Sequence, residues 1–150
     1  MQRDAALGQL QASARGFSTT AGIFFALTAP VDRASLPTTP ASTAADATVF
    51  LVDVDPRSPA RGRRAPVEVV FLEQGGPFGA FNQLTLVPYQ GMPLRESTLY
   101  AAVVTTRVLD AAGRPLEPSP SMKTLLSGGV PRGLSRPALA ELRTALASLR

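Results

Sequence analysis

The sequence predicts an all-β fold, a two-sheet sandwich of short strands followed by one amphipathic C-terminal helix. Three observations carry that expectation. Apolar residues come in short runs that alternate with period two, the pattern of a strand with one face buried. Twelve glycines and fourteen prolines fall between those runs and not inside long ones, as turn residues do. Helical periodicity appears only near the end of the chain, whereas an α/β sheet needs helical patterns of roughly 10–15 residues between its strands.

Five runs read as strands, each rich in β-branched or aromatic residues. Residues 22–29 set Ile23, Phe25 and Leu27 on one face and Phe24, Ala26 and Thr28 on the other. Residues 48–54 set Phe50, Val52 and Val54 opposite Val49, Leu51 and Asp53. In residues 67–72, Val67, Val69 and Phe71 face inward and Glu68 marks the outer face. Residues 83–88 alternate Leu84 and Leu86 with Thr85, and residues 99–108 align Tyr100, Ala102, Val104, Thr106 and Val108. Between them, residues 31–47 form a Ser/Thr/Pro/Ala linker, long for a hairpin but suited to a strand that crosses from one sheet to another. Residues 55–66 and 74–82 are turn-rich, and 110–113 form a turn whose glycine, Gly113, takes positive φ.

Leu139, Leu142, Leu146 and Leu149 recur at i, i+3, i+7 and i+10, one stripe of a helix. Ser135 is placed to cap it, Pro137 sits in the first turn, and Leu134 and Leu139 form a hydrophobic staple. Full burial of a leucine is worth about 1.5–3 kcal/mol, so this stripe is expected to dock on a neighbouring domain or protein surface. The division is then an N-terminal segment over 1–17, with a short helix within 4–14, a sandwich over 18–118, a linker over 119–134, and the helix over 135–150. Because the chain stops on that helix, it reads as the truncated start of a following region.

There is no cysteine and no histidine. Disulfides, thiolate metal sites, thiol nucleophiles and imidazole bases are therefore excluded, and with them most hydrolytic and redox chemistry. The net charge is +4, and fourteen of the fifteen basic residues are arginine. Arg57, Arg61, Arg63 and Arg64 lie in one acid-free stretch that accounts for the whole excess. Residues 1–16 lack the apolar run of a signal peptide. The longest apolar stretch, residues 21–30, is about half of a membrane helix, so no transmembrane segment is expected.

The stretch Thr20-Ala21-Gly22-Ile23-Phe24-Phe25-Ala26-Leu27-Thr28-Ala29-Pro30-Val31-Asp32, followed by Ser35-Leu36, resembles the opening strand and turn of bacterial Ig-like domains of S-layer and other exported proteins. Leu84-Thr85-Leu86-Val87-Pro88, Pro93-Leu94, Tyr100 and Asp110-Ala111-Ala112-Gly113-Arg114-Pro115-Leu116 resemble the closing half of that family. The arginine loop and the EQGGPFGAFN segment depart from it as insertions. The resemblance implies an Ig-like Greek-key sandwich in a cell-envelope or secreted protein. In envelope proteins of the myxobacterial kind, such a domain stands ahead of a larger catalytic or binding region. Tyr100 has a rationale of its own. At the corner before a central strand its ring fills the core and its hydroxyl bonds a backbone group a few residues upstream, as in the tyrosine corner of Greek-key sandwiches; a core tyrosine with any nearby partner is the alternative.

Candidate chemistry is sparse. Asp53 and Asp55 leave one strand together and bind Ca²⁺ only if the turns of Asp32 and Asp110 converge on them. The stronger reading is that each aspartate starts a turn. Four phosphate contacts by the arginines give a salt slope of about −3.6, weak for a DNA binder, and no aromatics interleave for base stacking. No nucleic-acid partner is expected, and the loop reads as solvated or as a contact to acids on a neighbouring domain. No G-x-S-x-G elbow, Ser-x-x-Lys dyad or phosphate loop occurs. Phe78 and Phe81 are the best ligand contacts, though folding back to cap the core is the favoured role for both. The expected function is non-catalytic, with no cofactor: a structural or interaction module of an exported bacterial envelope protein. The alternatives are the accessory domain of an esterase- or lipase-like hydrolase, or a carbohydrate- or peptide-binding module.

Overall fold

A computed structural model describes residues 16–75 and 79–149; the helix expected within 4–14 and Phe78 lie outside them. The strands are β1 (Ile23–Ala26), β2 (Val49–Asp53), β3 (Arg64–Ala65), β4 (Val67–Leu72), β5 (Gln83–Pro88) and β6 (Tyr100–Val104), followed by α1 (Pro120–Leu126) and α2 (Arg136–Ser148). They form two small antiparallel sheets, β1-β5-β4 and β3-β2-β6. One core gathers Val49 and Leu51 from one sheet, Val67, Phe71, Leu84 and Leu86 from the other, and Val31 and Val108 from the connections. Ile23, Phe25 and Val69 pack against it, while Phe24, out of phase, is 62% exposed.

β2 is buried along its whole length. Its outward residues Phe50, Val52 and Val54 make a second cluster with Leu99, Ala101, Val103 and Ala145 of α2. A strand covered on both faces needs apolar residues at every position, and Val-Phe-Leu-Val supplies them.

The sheets are joined where the chain crosses at Pro66. Ala65 pairs with Leu51 in one sheet and Val67 with Pro88 in the other. Proline has no N–H to continue either ladder, and its carbonyl accepts from the Tyr89 N–H (3.0 Å). The next ladder bond along β2 would fall to Val67. Its N–H instead donates to the hydroxyl of Ser42 (3.0 Å), which in turn donates to the Thr39 carbonyl (2.6 Å). Ser42 is fully buried. Residues 31–47 are thus more than a linker, since they hold two 3-10 turns, Arg33–Ser35 and Pro40–Thr43, and the second carries Ser42.

Four other expectations change. The last strand stops at Val104 and not at 108, because Thr105 closes on Thr48 through both its N–H and its hydroxyl (2.9 Å each) and then starts a turn to Val108. β6 is also an edge strand, where a central one was expected. The linker over 119–134 contains α1, a helix of under two turns capped by Ser119, whose hydroxyl accepts from the Met122 N–H (3.2 Å). The 55–66 loop ends as β3, and Gly62 at φ 84° lets its N–H reach the Asp53 carbonyl (2.8 Å) to close the hairpin.

The Asp110 turn forms as expected, with Gly113 at φ 76°. At α2, Ser135 accepts from the Ala138 N–H (3.3 Å) and Pro137 lies in the first turn.

Ser42→Ala leaves a buried N–H unpaired at the crossing. A loss of about 1–3 kcal/mol is expected, read by urea denaturation. A loss below about 0.5 kcal/mol would mean that Val67 has another acceptor.

Candidate functional site

The four arginines of the 57–64 stretch have four different environments. Arg57 stays beside Asp55 (Nε to Oδ1, 3.4 Å) with its own side chain 85% exposed. Arg61 donates to the Ser148 hydroxyl at the end of α2 (2.6 Å). Arg63 is exposed next to a shallow cavity of about 460 Å³ that Arg64, Gly62 and Thr43 also line. Arg64 is a scaffold residue and not part of a solvated loop. Its guanidinium stacks on Phe50, 3.7 Å from the ring centroid, and donates to the carbonyls of Ala44 and Ala45. Burial, then the nearby Arg107, lower its pKa against the opposing pull of Asp46, and a guanidinium keeps its charge nonetheless.

The candidate calcium ligands do not converge. Asp53 pairs with Tyr100 at one end of the β2–β6 ladder. Asp110 bridges Val31 beyond the other end, next to Asp32. Every one of these carboxylates is spent on the backbone. Asp53 accepts from the Asp55 N–H (3.0 Å) and the Ser58 hydroxyl. Asp55 accepts from the N–H groups of Arg57 (2.8 Å) and Leu99 (3.3 Å). Asp32 accepts from Ala34 N–H, and Asp110 from the N–H groups of Ala112 and Arg114, all at 2.9 Å. Arg114 adds a side-chain contact to Asp110 (2.8 Å). The turn-starting role is therefore the one the structure displays. Among the described residues no group of three or more acids is arranged to hold a metal.

The Arg57 N–H, more than the Arg57 side chain, holds the Asp55 carboxyl below the usual carboxylate range. The Arg114 N–H does the same for Asp110. Both are thus ionised and occupied at neutral pH, the wrong state for a general acid.

Phe81 is 71% exposed and does not cap the core. The reason is local: Asn82, at φ 52°, closes the β4–β5 hairpin through its N–H to the Glu73 carbonyl (3.1 Å), while its own carbonyl accepts from Leu27. Tyr100 does what the corner requires, its hydroxyl accepting from the Arg95 N–H five residues upstream (3.3 Å).

α2 docks within the chain. Leu139 and Leu146 are half-buried, but Leu142 and Leu149 are each 37% exposed, and Ala145 is the α2 residue that packs into the Phe50–Val52–Val54 cluster. The contact face is rotated from the leucine stripe toward the small residue. Arg143 also donates to the Gly128 carbonyl (3.1 Å) and so ties α2 to the end of α1. What sequence reasoning missed is that the arginine loop and the C-terminal helix are neighbours, joined by Arg61 and Ser148 across 87 positions. Arg57, Arg61, Arg63 and Leu149 are therefore the candidate interaction surface.

Comparison with known proteins leaves this surface to be read on its own terms. No family model, curated protein or solved structure matches the chain.

Two outcomes are expected. The depressed carboxyls of Asp55 and Asp110 contribute stability that is present above the unfolded aspartate value, about 3.9, and lost as pH falls through their lower folded values. Asp55→Asn and Asp110→Asn therefore flatten the acid limb of a Tm-versus-pH curve between about pH 5 and 2. An acid limb unchanged in both would refute the assignment. Ala145→Asp sets a carboxylate against the apolar cluster and is expected to cost about 1 kcal/mol, with faster amide exchange in α2. Leu142→Asp costs less than half as much, and the reverse order would place the docking face on the leucine stripe.

Proposed function

We propose that this chain is an Ig-like Greek-key β-sandwich serving as a non-catalytic interaction module of an exported bacterial envelope protein. The single observation that carries this reading is the bond from Arg61 to Ser148, which sets the arginine loop beside the end of α2, where Leu149 is 37% exposed. Interaction sites combine such features, with charge for steering and apolar groups for contact. The partner surface that fits is acidic with apolar residues at its centre.

Two further observations support the fold assignment. Two antiparallel sheets share one core, and the Tyr100–Arg95 contact has the form of a tyrosine corner. Of the five buried polar residues among those described, four, Ser42, Asp53, Asp55 and Asp110, hold backbone groups in turns or at the crossing. Polar groups spent in this way suit a scaffold that presents a surface.

Co-sedimentation with isolated bacterial envelope fractions tests the reading. Retention is expected at low salt, falling as ionic strength screens the arginines. The Arg57→Glu/Arg63→Glu double variant, at unchanged Tm, is expected to bind at least about tenfold more weakly. Equal retention of variant and parent, or no retention of either, would overturn it.

A further inference from the structure

Each sheet ends in two edge strands, and an open edge invites another chain unless a charge, a proline or a bulge refuses it. Three of the edges are poor receivers. β3 has two residues. β4 carries the exposed Glu68, and its first outward N–H is already bonded to Ser42. β1 has four residues, one fewer than β6. β6 differs. Its five residues, Tyr100-Ala101-Ala102-Val103-Val104, include no charge, proline or glycine, and all are half-buried.

The ladder to β2 fixes which of its backbone groups are free. Val54 donates to the Leu99 carbonyl and Thr105 donates to the Thr48 carbonyl (2.9 Å each). In an antiparallel pair such groups alternate along the strand, so Ala101 and Val103 also face β2. Tyr100, Ala102 and Val104 point their N–H and C=O groups outward, and these have no hydrogen-bond partner among the described residues.

We infer that β6 is a homophilic edge: a second copy of this chain pairs antiparallel along it, about a two-fold axis at Ala102, so that two β3-β2-β6 sheets become one. The outward groups match themselves under that symmetry. Ala102 meets Ala102 of the other copy in a reciprocal hydrogen-bonded pair, and Tyr100 meets Val104 on either side. On the opposite face Ala101 meets Val103, which continues the Phe50–Val52–Leu99 cluster across the axis. The side-chain pairs are small with small at the axis and larger with β-branched beside it, the combinations that stabilise cross-strand contacts. No like charges meet between positions 100 and 104. A symmetric isologous contact of this kind closes on itself as a dimer and does not propagate. With five residues per copy, main-chain bonding supplies most of the affinity, and the dimer is weak and concentration-dependent.

Sedimentation equilibrium of the full chain from about 10 µM to 1 mM, a range suited to a small interface, is expected to show a monomer–dimer equilibrium. Ala102→Pro removes an N–H that faces outward, a change an edge strand tolerates, and is expected to raise the dimer Kd about tenfold or more. Amide exchange in the unmodified chain provides the second readout. The Ala102 and Val104 amides slow as concentration rises, whereas Ala101 and Val103, bonded to β2, stay protected throughout. If Ala102→Pro fails to fold, this readout decides alone. A chain that stays monomeric at 1 mM, a dimer that Ala102→Pro leaves intact, or Ala102 and Val104 amides indifferent to concentration would each overturn the inference.

Discussion

The hydroxyl of Ser42 is the constraint on which the two-sheet arrangement depends. A chain that passes from one sheet to another must drop one ladder before it joins the next, and the residue at the step leaves a buried N–H behind. Pro66 makes the step by having no N–H of its own to satisfy. Val67 then has one to place, and Ser42, carried on the Pro40–Thr43 3-10 turn, accepts it. Because an unpaired buried donor is costly, β3 and β4 can lie in different sheets and still share one core only while that acceptor is present. The 31–47 segment is therefore long for a structural reason: it must travel far enough to deliver one hydroxyl.

The strand faces were legible because alternation is local information. Val49 and Leu51 against Phe50 and Val52, or Leu84 and Leu86 against Thr85, can be read from a handful of neighbouring residues. β3 was hidden because a two-residue strand has no period, and its existence depends on Leu51 and Val52, more than ten positions away. α1 was hidden for a related reason, since Pro120–Leu126 completes too little of a helical stripe to stand out from a linker. The turn at Asp110 was readable because aspartate and glycine act on their own backbone. The end of β6 was not, because the bonds of Thr105 go to Thr48, on another strand.

The site was legible to a smaller degree. Composition located the arginines, but it could not distinguish Arg64, stacked on Phe50, from Arg63, one position earlier and facing solvent. Their separation follows from where β3 begins: Arg64 is its first residue and pairs with Val52, whereas Arg63 lies in the preceding turn. The leucine stripe identified α2 correctly and its docking side only approximately, because the α2 residue packed into the Phe50–Val52–Val54 cluster is Ala145, which lies off that stripe. The backbone partner of Tyr100 was within reach of sequence reasoning, since Arg95 lies only five residues upstream.

β2 also bears on how this chain can vary over evolutionary time. Its faces serve two separate clusters, one edge is held by β3 and the other by β6, and Asp53 and Asp55 at its end organise the next loop. No position from Val49 to Asp55 is free to drift, while the loops and the outer face around Phe24 are not so bound. Distant descendants of the same ancestor would therefore keep the sequence Val-Phe-Leu-Val-Asp-Val-Asp close to intact as the rest diverges. That heptapeptide is the fingerprint by which such kin would be found.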